Sequence, residues 1–217
     1  MQATNEQQLI EYSVYTDQDE DEMVQLLGDV FSRRDPPAVA VGLVPSEFED
    51  FVRLFCPKAA LEGVTIVARN ASTRQLVGAL LAEDCAAELP EGMDRLSPKF
   101  EPIFDILGQL DTDYRATRTP RHGESLHLFL VGVAESVAGQ GVAHQLVSRC
   151  LENGAGKGYQ LAVTEATNKV SQHIFRKLGF TERVHRSYSN YRFNGRAVFE
   201  SIADQGGPIL MDKSLLS

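Results

Sequence analysis

The segment from Ser125 to Phe180 constrains the fold of this chain more than any other stretch. An apolar run at residues 126–131 is long enough for a buried strand. After a glycine-containing turn, the apolar side chains of residues 144–153 recur at helical spacing. The order strand, glycine turn, helix brings backbone N–H groups and the positive end of a helix dipole to one point. Such a turn is suited to binding phosphate.

Two common phosphate-binding motifs do not match this turn. A Walker A loop closes with Gly-Lys-Ser/Thr, which neither residues 141–143 nor residues 156–158 supply. A dinucleotide-binding fingerprint needs a third small residue three positions after Gly141, where this chain has His144. The chain continues instead with a second apolar strand at residues 160–165 and a short helix.

This succession resembles the cofactor-binding core of the GNAT superfamily of N-acetyltransferases. The signature of that superfamily is Gln/Arg-x-x-Gly-x-Gly/Ala, followed by Asn-x-x-Ala/Ser and a helix that ends in Gly-Phe. The matching positions are Gly141, Ala143, Asn168, Ser171, Gly179 and Phe180. Ala138 stands where the family usually has Gln or Arg, which removes one side-chain contact to phosphate and leaves the backbone donors unchanged.

The resemblance implies an α/β fold of the acyl-CoA N-acyltransferase type, in which a central, splayed mixed (α+β) sheet is flanked by helices. It also implies acetyl-CoA as co-substrate, without a metal. In this family the cofactor lies along the central strand, the glycine turn and the second helix. The residues predicted to bind it are Val131, Gly132, Val133, Ala138, Gly139, Gln140, Gly141, Val142, Ala143, Asn168, Ser171 and Phe175.

The whole chain of 217 residues is interpreted as one domain, because this length supports a single well-buried core. Apolar runs at residues 64–69 and 75–81 predict an antiparallel hairpin ahead of the cofactor strand. The segment of about residues 84–123 is too long for an ordinary loop, and Ser97-Pro98 begins a helical pattern within it. We interpret it as a helical insertion between strands 3 and 4, which either shapes the acceptor site or packs as an addition to the core.

Four shorter segments also have predicted structures. Residues 38–44 read as an apolar linker, and Ser46-x-x-Glu49 reads as a capping box that opens a helix. The alternation of side chains over residues 181–191 predicts a long strand. Residues 1–10 are polar and are expected to fray.

The amino-acid composition limits which binding partners and which cellular compartment are expected. A formal net charge of -9 argues against nucleic acid and favours a cationic amine, although solubility alone also accounts for an acidic surface. The three cysteines, Cys56, Cys85 and Cys150, have no disulfide or zinc-site pattern. No leader follows Met1, and no apolar stretch reaches the ~18 residues of a membrane helix. We expect a cytoplasmic protein without a membrane partner, and the sequence leaves a homodimer open.

Acetyl transfer needs a proton acceptor, because an amine with a pKa of about 10 arrives as ammonium and attacks only when neutral. His127 is the first candidate, since the vertebrate arylalkylamine N-acetyltransferases have histidines on this strand. Asp35 is the second, because Phe31-x-x-x-Asp35-Pro36 resembles the Phe-x-x-x-Glu-Pro segment of the insect-type enzymes, whose Glu is the proposed base. The alternatives are a structural hydrogen bond for His127 and a turn position for Asp35.

A proton donor for the leaving thiolate is harder to identify. Many GNAT enzymes place a tyrosine where this chain has Phe175, which has no proton to give. Ser171 is the candidate, with a hydrogen bond to the pantetheine arm as its other role. The predicted function is transfer of an acetyl group from acetyl-CoA to a primary amine of a small molecule, by direct attack in a ternary complex. The alternative is a catalytically silent CoA-binding domain that acts as a sensor or partner module.

Overall fold

A computed structural model describes residues 9–118 and 120–216 of the chain, so the fraying predicted for residues 1–10 falls almost entirely outside the described residues. The strands are β1 Ile10–Val14, β2 Ile66–Asn70, β3 Leu76–Asp84, β4 Ser125–Val133, β5 Leu161–Ala166, β6 Thr181–His185 and β7 Ile209–Ser214. The helices are α1 Glu20–Arg34, α2 Pro36–Ala40, α3 Pro45–Glu62, α4 Glu101–Arg115, α5 Val142–Gly156 and α6 Lys169–Lys177.

The strands form one seven-stranded sheet in the order β1-β2-β3-β4-β5-β7-β6. The pairing of β4 with β5 is parallel, and the other pairings are antiparallel. Along β3, Ala79 and Leu81 pack into the hydrophobic cluster that contains α1 and α3, whereas Leu80 and Ala82 pack into the cluster that contains α5. Because side chains alternate along a strand, these clusters cover opposite faces. The predicted mixed sheet flanked by helices is confirmed.

The junction between α1 and α2 is set by one Asp-Pro pair. Proline disfavours a helical conformation in the residue before it, and Asp35 is extended, with φ −79° and ψ 119°. Helix α1 therefore ends at Arg34. The Asp35 carboxylate then accepts a hydrogen bond from the backbone N–H of Ala38 at 3.4 Å and caps α2. The linker predicted at residues 38–44 is thus wrong in its first part, which is helical.

The other two short predictions are also corrected. Helix α3 begins at Pro45, and the carboxylate that accepts from its N-terminal backbone belongs to Glu47, which binds the N–H of Val44 at 3.0 Å. The expected Ser46/Glu49 capping box does not form. Strand β6 ends at His185, because Tyr188 turns into the core, where it is 0% exposed and packs edge-on against Phe199.

The predicted helical insertion between β3 and β4 is confirmed as α4. Its buried side chains include Ile103, Ile106, Leu110 and Tyr114, at helical spacing. The hydroxyl of Tyr191 donates to the Asp105 carboxylate at 2.6 Å, which ties α4 to the segment between β6 and β7.

Within residues 9–118 and 120–216, no helix combines the length and apolar character needed to cross a membrane. The same residues contain no group of three or more His, Cys, Asp or Glu side chains arranged to hold a metal ion.

A glycine between β6 and β7 gives a stability prediction. A Cβ at Gly207 would lie 1.9 Å from the carbonyl oxygen of Arg186, so Gly207→Ala must displace backbone. We expect the free energy of unfolding to fall by about 1–3 kcal/mol in urea titrations. Gly206→Ala is the matched control, because its Cβ meets no described atom within 4 Å and only the positive φ of 88° is strained. Equal losses for the two variants would contradict this explanation.

Candidate active site

The two central strands separate after a short stretch of pairing. Residues 125–127 of β4 pair with residues 161–163 of β5, and the ladder ends there. Next to this point β4 carries an extra residue, because Leu81 pairs with Leu130 while Ala82 pairs with Leu128. Phe129 is therefore bulged, and a bulge bends its strand. The result is a V-shaped gap between β4 and β5.

A cavity of about 900 Å³ opens into this gap and extends beneath α1, α3 and α4. Seven of the twelve residues predicted to bind the cofactor line it, namely Val131, Gly132, Val133, Ala143, Asn168, Ser171 and Phe175. At its edge, the Arg34 side chain donates a hydrogen bond to the carbonyl of Val133, which links the end of α1 to the end of β4.

The remaining predicted cofactor residues form the turn before α5. Gly139 and Gly141 have φ values of 74° and 79°, a region that glycine adopts without strain. The first helical hydrogen bond runs from the N–H of Gln145 to the carbonyl of Gly141 at 3.0 Å, so the N–H groups of residues 142–144 have no partner within the helix. No described atom lies within 4 Å of a Cβ built on either glycine. This turn can hold a phosphate group against the N-terminus of α5.

Asn168 and Ser171 are engaged with each other at the start of α6. The side-chain oxygen of Asn168 accepts from the N–H groups of Val170 and Ser171 at 3.0 and 2.9 Å. The Ser171 hydroxyl donates to the carbonyl of Asn168 at 2.9 Å, which uses its single proton. Both residues line the cavity, so their structural role and a contact with a bound ligand coexist.

Asp35 is a buried carboxylate on the cavity wall, with 8% of its surface exposed. The Thr167 hydroxyl donates to its Oδ1 atom at 2.6 Å. The hydroxyl of Tyr188 in turn donates to the carbonyl of Thr167 at 2.8 Å. Burial raises the pKa of Asp35 to about 6, against the opposing hydrogen bonds from Thr167 and Ala38. A carboxyl group that titrates near neutrality is suited to accept a proton.

His127 lies between two carboxylates. Its Nε2 atom is 2.6 Å from Glu165 Oε2, and its Nδ1 atom is 3.6 Å from Glu83 Oε1. Burial alone would lower the pKa of His127, but the charges and hydrogen bonds of Glu165 and Glu83 outweigh it and raise the pKa to about 10. At neutral pH the ring is an imidazolium ion without an acceptor nitrogen. We call Glu83, His127 and Glu165 the acid–imidazolium cluster.

Comparison with known proteins gives one family match and several structural neighbours. The profile of the Acetyltransferase (GNAT) family matches residues 106–180, which carry the gap, the glycine turn and α6. The match covers about a third of the chain, so this segment is similar to the GNAT family. The family and its acetyltransferase neighbours support acetyl-CoA-dependent N-acetyltransferase activity.

Three solved structures share the GNAT fold over nearly the whole chain. The C-terminal condensation domain of Ebony, in complex with beta-alanyl-dopamine, superposes with a TM-score of 0.87 and 17% identity, covering 95% of this chain and 99% of that one. Arylalkylamine N-acetyltransferase 2 from Aedes aegypti gives 0.76 and 19%, with the same coverages. Drosophila melanogaster polyamine N-acetyltransferase gives 0.76 and 17%, covering 95% and 100%. At these identities the shared property is the fold.

Phenylalanine is the most frequent residue type in the wall of the cavity. Eight of the 11 phenylalanines in the chain contribute, namely Phe31, Phe48, Phe51, Phe55, Phe100, Phe104, Phe129 and Phe175. They come from α1, α3, the insertion, β4 and α6. Several of these rings contact one another, as in the stacked pair Phe100–Phe104 at 5.3 Å between centroids. The insertion is thus part of the cavity wall.

Sequence reasoning missed the partners of both base candidates. Thr167 binds Asp35 across 132 positions of sequence, and Glu165 binds His127 across 38. One signal was present in the sequence, since Glu165 and Thr167 are two residues apart at the end of a predicted strand, a spacing that places side chains on the same face. The structure brings His127 and Glu165 together, and it brings Asp35 together with Thr167.

Proposed function

We propose that this chain transfers an acetyl group from acetyl-CoA to the primary amine of a small aryl-bearing molecule, by direct attack in a ternary complex. The observation that carries this proposal is Asp35, a buried carboxylate with a raised pKa on the wall of an aromatic cavity. Acetyl-CoA supplies the thioester. The gap between β4 and β5 and the turn before α5 have the shape and the backbone donors to receive it.

In this mechanism Asp35 takes one proton from the ammonium group of the acceptor. The neutral nitrogen then forms a bond with the thioester carbon, and backbone N–H groups of β4 near the gap are placed to meet the carbonyl oxygen as it gains charge. The C–S bond breaks, the second nitrogen proton passes to the thiolate, and Asp35 releases its proton to solvent. His127 is assigned no proton transfer, because it is already an imidazolium ion. Ser171 is assigned to the cofactor contact, because its proton is held by Asn168.

The aromatic lining supports an aryl acceptor of small size. Apolar and aromatic walls with a few polar groups are typical of small-molecule sites. The insertion and the segment between β6 and β7 both contribute to the cavity wall and are joined by the Tyr191–Asp105 hydrogen bond. Arylalkylamine N-acetyltransferase 2, one structural neighbour, carries this class of amine in its name.

A turnover assay tests the proposal. We expect release of free thiol from acetyl-CoA that depends on added amine. The kcat/KM should be about tenfold or more higher for phenethylamine than for ethylamine, because an aromatic ring that enters the cavity is removed from water. Tight CoA binding without turnover across a panel of amines would contradict an enzyme and support the silent CoA-binding domain. Equal rates for the two amines would contradict the aryl acceptor.

A further inference from the structure

The acid–imidazolium cluster has no task in the proposed mechanism. Glu83 on β3, His127 on β4 and Glu165 on β5 all line the cavity, and their side chains are 13%, 22% and 12% exposed. Lys58 of α3 binds the other oxygen of Glu83 at 2.5 Å. Removing four charges from water is costly, and apolar residues of similar size would often be at least as stable. The cluster therefore calls for an explanation other than stability.

The cluster contains more hydrogen-bond acceptors than donors. Each carboxylate offers about four acceptor positions. Among the described residues, the side-chain donors within hydrogen-bond distance are the ammonium of Lys58 at Glu83 and the Nε2 atom of His127 at Glu165, while His127 Nδ1 is 3.6 Å from Glu83. Glu83 and Glu165 face His127 and Lys58, and the positive charge of Arg115 also acts on Glu165. A ligand group that suits this wall is a neutral donor, such as a hydroxyl, rather than a second cation.

The cluster and the partner of the proposed base lie close together along the same stretch of chain. Thr167, which binds Asp35 at 2.6 Å, follows Glu165 by two residues, and the chain is still extended at Asn168, with φ −145° and ψ 164°. Two residues of extended chain span roughly 7 Å. The ring of Phe129 stacks on His127 at 5.4 Å between centroids, so the wall beside the cluster is aromatic.

We propose that the acid–imidazolium cluster recognises a hydroxyl group on the ring of the acceptor, with the Glu165 carboxylate accepting its hydrogen and His127 holding that carboxylate in place. The inference rests on the proposed aryl-amine function and deepens it. The amine nitrogen lies at Asp35, the ring lies against the phenylalanines, and the hydroxyl lies at Glu165.

Tyramine and phenethylamine, which differ by one ring hydroxyl, test this inference. We expect the parent enzyme to favour tyramine by about tenfold or more in kcat/KM, because a site built to bind a hydroxyl is left with unpaired groups when the hydroxyl is missing. In Glu165→Gln the ratio should fall severalfold, mainly through slower turnover of tyramine, because an amide oxygen accepts a hydrogen bond more weakly than a carboxylate does. If the role of Glu165 is purely structural, the substitution should lower kcat/KM equally for both amines and leave their ratio unchanged. That result would overturn the inference.

Asp111→Asn is the matched control, because Asp111 also lines the cavity but pairs with Arg115 at 2.6 Å, outside the cluster. Its ratio should equal that of the parent. If Glu165→Gln does not fold, Glu83→Gln carries the same test from the other side of His127. Equal use of tyramine and phenethylamine by the parent would overturn the hydroxyl site and leave the aryl-amine function standing. A higher kcat/KM for 1,4-diaminobutane than for tyramine would also overturn the hydroxyl site, because it would indicate that the cluster binds the second ammonium group of a diamine.

Discussion

Asp35→Asn is expected to lower kcat/KM for an arylalkylamine by about 10²- to 10⁴-fold at neutral pH, the range for loss of a general base. The amide keeps the size of the side chain and an oxygen that can accept from Thr167 and Ala38. It cannot take a proton from the ammonium group. Initial rates of thiol release, together with the Kd for CoA, separate this loss from a loss of cofactor binding.

The dependence of kcat/KM on pH tests whether Asp35 acts as the base. With a pKa of about 6, Asp35 in the parent becomes protonated as the pH falls through 6, so kcat/KM should fall on that side. The deficit of Asp35→Asn should shrink at high pH, where the amine is already neutral. Asp35→Glu is the matched control and should retain most of the activity. A deficit that is independent of pH would point to packing instead of proton transfer.

The contribution of Asp35 to the free energy of unfolding should fall as the pH rises, whereas its contribution to activity should increase. The pKa of Asp35 lies above its unfolded value of 3.8, so between about pH 4 and 6 the folded state binds more protons than the unfolded state. Its contribution to stability therefore falls as the pH rises through this window and stays lower at neutral pH. Asp35→Asn should unfold no more easily than the parent at pH 7, although it is nearly inactive.

Gly141→Asp is expected to weaken CoA binding by about 100-fold or more in calorimetric titration. The substitution places a carboxylate beside the proposed pyrophosphate position, where its charge opposes that of the ligand. It also forces a side chain onto a residue with φ of 79°. Gly141→Asn controls for the backbone, because asparagine has the same shape, tolerates this conformation and carries no charge. Unchanged affinity in a folded Asp variant would show that the phosphate lies elsewhere.

Local motifs accounted for most of what the sequence could predict. The strand, glycine turn and helix around residues 125–156 follow from short-range spacing, and they fold as expected. Asp35 was also found from a local pattern, because the Asp-Pro pair that ends α1 is the same pair that holds the carboxylate in the cavity wall. Such features need only neighbours in sequence.

The properties that decide the chemistry came from distant neighbours. The choice between His127 and Asp35 as base depends on pKa, and each pKa is set by groups on other elements. Glu83 and Glu165 charge His127, whereas Asp35 is buried without a cationic partner among the causes of its shift. The early end of β6 depends likewise on the packing of Tyr188 against Phe199, which no local alternation reveals.

The short ladder between β4 and β5 divides the sheet into two halves, strands β1–β4 and strands β5–β7. In the described part of the chain, the pairing between these halves is limited to residues 125–127 and 161–163. The His127–Glu165 contact links the two halves at the open end of that ladder. A ligand that fills the gap contacts both halves of the sheet where the strands do not pair. Because a ligand that binds only the folded state stabilises it, occupancy of the gap should raise the free energy of unfolding of the whole sheet.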